Sequence, residues 1–245
     1  MNRLDEILEN QRGWQALSAD DDSALRDVAL ESLSICNDAI AVLSQNLKKI
    51  GYVWISSERL SPDFVEKNVQ IIESKTGLPI PKILVEFWKV VGGVSFVDLK
   101  RYKHKGFWKR HKINPEYGFA DGLHIEVCND EWVSFVCDDY LDWKEYFTTG
   151  ESDGFLLCLS PDGYHKDNIS GGAPYGVFAK STWKPVWQNF KWPGAVNPIT
   201  GLACQPDFLS YLRTTILECA GFPALLGVPA FDPIKEKLLQ GVPLF

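Results

Sequence analysis

Residues 77–93 read GLPIPKILVEFWKVVGG, and this segment decides what kind of fold the chain builds. Proline fixes φ and has no N–H, so Leu78-Pro79-Ile80-Pro81 can open a helix but cannot lie inside one. The run KILVEFWKVV supplies that helix, and the pair Gly92-Gly93 ends it. Just upstream, Ser61-Pro62-Asp63 offers a cap followed by proline at the first helical position. Phe64, Val65, Val69 and Ile72 then continue an apolar stripe as far as Gly77. Two helices therefore meet at a proline-rich corner.

Outward from that corner toward the N-terminus, Tyr52–Ile55 (YVWI) reads as a strand. Before it, Leu25, Val28, Ala29, Ile35, Cys36, Ala39, Ile40, Leu43 and Leu47 mostly follow three- and four-residue spacing, the mark of one buried helical face. Ser23, after Asp20, Asp21 and Asp22, is the expected N-cap. Lys48 and Lys49 complement the C-terminal dipole before Gly51 stops the helix. Leu4, Ile7 and Leu8 predict a first helix packed against it. Residues 1–50 thus form a helical extension to a domain spanning 51–245.

Toward the C-terminus the pattern shortens and becomes β-rich, with strands expected at Val94–Val97, Leu123–Cys128, Trp132–Val136, Phe155–Leu159, Gly176–Phe178 and Trp183–Trp187. No intervening helix is long enough for a parallel crossover, so the sheet should be antiparallel. Helix returns at Pro206-Asp207, where Phe208, Leu209, Leu212, Ile216 and Cys219 share a face up to Gly221. Asp232-Pro233 opens a last short helix. The expected class is α+β, a mostly antiparallel sheet packed against helices.

The 245 residues are 45% hydrophobic and 23% charged, enough for one generous core. Nine Trp and fourteen Phe against a single Met predict a rigid aromatic interior. A net charge of −7 argues against general nucleic-acid binding and favours a basic partner. The N-terminal MNRLDEILENQRGW lacks the apolar run of a signal peptide, and no segment approaches the ~20 apolar residues of a membrane span. A cytoplasmic location is the expectation. The six cysteines, Cys36, Cys128, Cys137, Cys158, Cys204 and Cys219, contain no CxxC pair and read as free, buried thiols.

Three segments invite a functional reading. Lys100–Lys112, KRYKHKGFWKRHK, holds seven Lys or Arg with Tyr102, Phe107 and Trp108 between them. It is either a phosphate-binding patch or a solvated basic loop between strands, and the acidic whole favours the loop. Asp130–Asp153 carries eight acids against Lys144, with Trp132, Tyr140, Trp143, Tyr146 and Phe147 among them. Aromatic anchors in a field of one sign suit a steered protein interface; the alternative is a half-buried sheet edge. Third, Leu159–Tyr175, LSPDGYHKDNISGGAPY, places Asp162, His165 and Asp167 close in sequence. No HExxH, HxH or nucleophile-elbow spacing supports chemistry there, and Gly171-Gly172 lacks the partners of a phosphate loop. The segment reads as a shaped polar turn, with no catalytic residue, metal or cofactor assigned.

GLPIPKILVEFWKVVGG, the strands that follow it and the closing FLSYLRTTILECAGFPAL together resemble the SUKH superfamily, named for cell-wall assembly regulators and bacterial toxin-immunity proteins. SPDGYHKDNISGG and the later FLSYLR and GFPAL are similar to an uncharacterised bacterial subgroup near it. The resemblance spans about Tyr52 to Leu225; the basic run Lys100–Lys112 falls outside its core pattern. It implies a compact α+β domain without a catalytic constellation that binds proteins, in many cases as an immunity protein occluding a toxin, frequently a nuclease. On that basis the chain is expected to be a non-enzymatic immunity-like protein. Asp138, Asp139, Tyr140, Asp142 and Trp143 would cover a basic partner together with Asp162, Tyr164, His165 and Lys166. The rivals are a regulatory scaffold, an enzyme using Asp162, His165 and Lys166, and nucleic-acid contact through Lys100–Lys112.

Overall fold

The computed structural model describes residues 3–18, 20–97, 104–113, 122–148, 155–160, 175–179, 208–225 and 227–245. It opens with α1 (Arg3–Ala16) and α2 (Asp22–Lys49). The inner face of α2 is the one its spacing predicts, with Leu25, Ala29, Leu33, Cys36, Ala39, Leu43 and Leu47 buried. Its cap is Asp21, whose carboxylate accepts the Ala24 N–H. Ser23 is not the cap: the helix already begins at Asp22, so Ser23 lies inside the first turn, one residue short of the N–H that a cap must reach.

Tyr52 departs further from expectation. Tyr52–Ile55 does not form the strand; β1 (Ser56–Glu58) starts just after it. The Tyr52 ring is fully buried, edge-on to Trp54 at 5.1 Å, Phe107 at 5.1 Å and Phe222 at 5.2 Å, and its hydroxyl donates to the Phe96 carbonyl. An aromatic cluster, rather than a ladder, holds this segment. Tyr52→Phe should therefore leave the Phe96 carbonyl unpaired and lower stability by about 1–2 kcal/mol in urea denaturation. A change under about 0.3 kcal/mol would mean the hydroxyl contributes nothing.

The proline corner is built as its sequence predicts. α3 (Pro62–Thr76) is capped by Ser61, which accepts the Phe64 N–H at 3.3 Å, and ends at Gly77 with φ 71°. α4 (Lys82–Val90) follows Pro81 and buries Ile83, Leu84, Phe87 and Trp88. Between them, Thr76 Oγ1 accepts the Leu78 N–H at 3.1 Å and the Glu73 carboxylate accepts the Ile80 N–H at 2.9 Å. The last turn of α3 thus satisfies the donors that the two prolines leave exposed.

β2 (Gly93–Ser95) lies between β1 and β3 (His124–Ile125), antiparallel to both, with Ser57 opposite Val94 and Val94 opposite Ile125. Both β2 and β3 are shorter than expected. Within the basic run the described residues are mainly helical and not a loop: they form α5 (His104–Arg110). Phe107 and Trp108 are buried, and their entry into the aromatic cluster fixes the helix that the surrounding charges obscure in sequence.

Trp132–Val136 is helical, not a strand. It belongs to α6 (Asp130–Thr148), whose first turn Asn129 closes by accepting the Trp132 N–H at 2.9 Å. β4 (Phe155–Ser160) and β5 (Tyr175–Ala179) form an antiparallel pair with Phe155 opposite Ala179. The Glu126 N–H reaches the Leu159 carbonyl at 2.9 Å, tying that pair to the segment after β3. α7 (Phe208–Arg213) runs on into one wider π-turn, Thr214–Glu218, and α8 (Asp232–Leu238) follows. The expected strand Trp183–Trp187 and the helix start at Pro206-Asp207 lie outside the described residues.

The described chain is mixed α and β, dominated by helix, with small antiparallel sheets. The N-terminal helices pack on the common core. Asn46 Nδ2 donates at 2.9 Å to both the Leu238 and Gln240 carbonyls, and buried Arg213 donates through Nε to the Phe245 oxygen at 2.7 Å and through Nη2 to Ser32 Oγ at 3.4 Å.

Candidate functional site

The most distinctive surface is the outer side of α6. Its inner side is anchored: Trp132, Val133, Val136 and Cys137 are buried. The Trp132 indole N–H donates to the Cys158 carbonyl at 3.2 Å, and its ring stands edge-on to Trp88 at 5.0 Å. Asn68 Nδ2, from α3, donates to the Cys128 carbonyl at 2.9 Å, which sets where the helix begins. With the phase fixed this way, Glu131, Phe135, Asp138, Asp142 and Glu145 recur at four- and three-residue steps and are all exposed. They form one stripe.

Acids on a surface helix are ordinary, but large exposed apolar side chains are less so. Of the five large hydrophobic residues most exposed among the described residues, three lie on α6: Phe135 at 52%, Leu141 at 64% and Trp143 at 38%. Phe135 lies within the acidic stripe and Leu141 at its edge, whereas Trp143, seven residues after buried Val136, falls toward the inner side.

At the N-terminal end of this stripe a cleft of about 310 Å³ is lined by Glu126, Asn129, Glu131, Trp132, Phe135 and Cys158. One wall is braced from beneath. His124 Nε2 lies 3.0 Å from Glu126 Oε1, and His124 Nδ1 lies 2.8 Å from Ser95 Oγ on β2.

The structure sorts the expected contact residues. Asp138 and Asp142 lie on the stripe, Trp143 is partly exposed and Asp139 is half-buried. Tyr140 turns inward, edge-on to Phe155 at 5.4 Å, so it supports the helix and does not present its ring. As far as Thr148 the acidic stretch is a helix and not a sheet edge; Glu151 and Asp153 lie outside the described residues. Asp162, Tyr164, His165 and Lys166, with Asp167 and the Gly171-Gly172 pair, lie outside the described residues. In the basic run, Lys109, Arg110 and Lys112 are exposed while Phe107 and Trp108 are buried, which removes those two rings as stacking platforms for bases.

Phe135, Glu126 and the cleft were not among the expected contacts. The signal for Phe135 is present as its spacing from Glu131, Asp138 and Asp142, readable once 130–148 is taken at a period of 3.6.

No protein-family model, curated protein or solved structure matches this chain. The functional reading therefore rests on geometry and charge. Among the described residues, no three His, Cys, Asp or Glu side chains gather as a metal-binding group, and no helix is long and apolar enough to cross a membrane.

Cys36, Cys128, Cys137, Cys158 and Cys219 are free thiols. Burial pushes the Cys128 thiol up to about 12 and raises Cys36 and Cys219 as well. The thiolate is the reactive form, so in the native protein at neutral pH iodoacetamide should leave these three unmodified. Denaturant should expose all three to alkylation, as peptide mass spectrometry would show. Rapid native labelling of Cys128 would contradict the burial.

Proposed function

We propose that the protein is a non-enzymatic binding protein, and that the outer face of α6 covers a basic protein partner. The observation that carries this reading is the coincidence of exposed Phe135 with Glu131, Asp138, Asp142 and Glu145 in one stripe of the helix, with exposed Leu141 at its margin. The carboxylates speed encounter with a positive surface, and Phe135 and Leu141 supply buried contact area once it docks. The overall charge of −7 extends the same field over the molecule.

Membership of the SUKH superfamily, in an immunity-like role in the cytoplasm, is the biological form of this proposal. Its support is the GLPIPKILVEFWKVVGG corner, the closing FLSYLRTTILECAGFPAL and an α+β chain with small antiparallel sheets. A nuclease toxin must present a basic groove to its substrate, and an acidic helix with a protruding Phe135 is suited to fill one. The 160s residues Asp162, Tyr164, His165 and Lys166 belong to the proposal as further contacts on sequence grounds.

Co-expression with the toxin-like product of an adjacent gene tests the reading. Restored growth and a co-purifying complex that weakens as salt rises are the expected results. Absence of both ends the immunity reading, whereas stable complexes with several housekeeping proteins would replace it with a regulatory scaffold.

A further inference from the structure

We infer that the cleft at the start of α6 receives an arginine side chain of the basic partner; this rests on the reading of α6 as the partner-binding face. The cleft combines two carboxylates, Glu126 and Glu131, with the rings of Trp132 and Phe135. A guanidinium satisfies both features at once. It is planar, carries five donors that match carboxylate oxygens, and stacks on aromatic rings more readily than a compact, strongly hydrated ammonium does. The two acids can take its edges while Phe135, half exposed, covers its face.

Other occupants fit less well. An anion would be drawn by the helix N-terminus, but the Trp132 N–H there is already held by Asn129 Oδ1, and both acids would repel it. A neutral apolar group would strip water from Glu126 and Glu131 without pairing them. His124 Nε2 lies 3.0 Å from Glu126 Oε1, and this close neighbour limits the freedom of one carboxylate, which lowers the ordering cost of binding. Because Glu131 and Phe135 belong to the cleft and the stripe alike, an arginine seated here places the rest of the partner along Asp138, Asp142 and Glu145.

The test uses the full chain and Nα-acetyl-arginine methylamide as the probe, followed by amide and indole NMR signals. Its citrulline counterpart, nearly identical in shape but uncharged, is the control. Saturable shifts confined to Glu126 and the segment Asn129–Phe135 are expected, with a dissociation constant on the order of millimolar for one isolated residue. Citrulline should give none. E126Q/E131Q keeps side-chain shape and the acceptor facing His124, and should weaken arginine binding about tenfold. Absence of saturation, an equal response to citrulline, or an unchanged E126Q/E131Q titration overturns the inference.

The two levels of the account separate cleanly. Partner binding that survives E126Q/E131Q but is lost in D138N/D142N/E145Q overturns the arginine cleft and leaves the wider face standing. Arginine binding in the cleft with no basic partner bound to the protein supports the cleft and overturns the partner reading.

Discussion

Gly92→Ala should destabilise the protein by more than about 3 kcal/mol, among the larger effects a single methyl group can have. Two costs add. Gly92 sits at φ 87°, a left-handed conformation that costs an L-residue roughly 1–2 kcal/mol. A Cβ there would also lie 2.2 Å from the Glu58 carbonyl oxygen and 3.0 Å from Arg59 Cα. Both are backbone atoms of β1 and the residue after it, so relief requires moving a strand and not rotating a side chain. Gly93 is equally enclosed, its Cβ position 2.6 Å from the Val127 Cβ. Gly51 provides the control, since it has φ 85° but nothing within 4 Å of a Cβ. Gly51→Ala should cost only about 1 kcal/mol, and the difference between the two in urea denaturation isolates the clash. Equal losses at Gly51 and Gly92 would show that α4 and β1 do not meet as closely as described.

The second large effect falls on binding and not on folding. In D138N/D142N/E145Q, three carboxylates of the α6 stripe are neutralised with little change in shape. All three are exposed, and exposed substitutions of this kind stay within about 0.5 kcal/mol in stability. Affinity for the basic partner should nevertheless fall by at least about thirtyfold, chiefly because each lost charge removes steering and a paired contact together. The salt dependence of the remaining binding should become shallower. Phe135→Ala should cut affinity while leaving salt dependence unchanged, because it removes contact area and no charge. Calorimetric or surface-binding titrations at two salt concentrations check both statements. A matching loss of thermal stability in the triple variant would move the explanation from binding to folding.

The features legible in sequence are those whose chemistry is local. Ser61 followed by Pro62, Gly77 in the left-handed region, and Pro81 before α4 each act within one turn, and each is found where its residue type predicts. The misread segments are those decided by distant partners. Trp132–Val136 carries the aromatic and β-branched residues of a strand, yet Trp132 packs on Trp88 and Asn129 closes a helical turn beneath it. Tyr52 has strand chemistry too, but Phe107 and Phe222, far away in sequence, claim its ring. In the basic run, net charge hid Phe107 and Trp108, whose burial makes the helix.

The candidate site was legible in composition and not in orientation. Acids and rings between Asp130 and Asp153 are evident from the letters alone. Which ring faces outward depends on helix phase, and composition without that phase gave Tyr140 a surface role. The packing against Phe155 takes that role away, and Phe135 takes it over. The cleft needed still more, because Glu126 reaches it from the segment after β3 and Cys158 from β4; no spacing in the sequence relates them.

Placing a photoreactive benzoyl-phenylalanine at position 135, with a second protein labelled at Gln45 on α2 as control, tests the central claim most directly. Illumination in cells followed by mass spectrometry should give an adduct of the position-135 protein with a basic protein, absent from the Gln45 control and lost when Asp138, Asp142 and Glu145 are neutralised. No adduct beyond those of the control, or an adduct that persists unchanged in the neutralised variant, would contradict a partner-binding role for the α6 face.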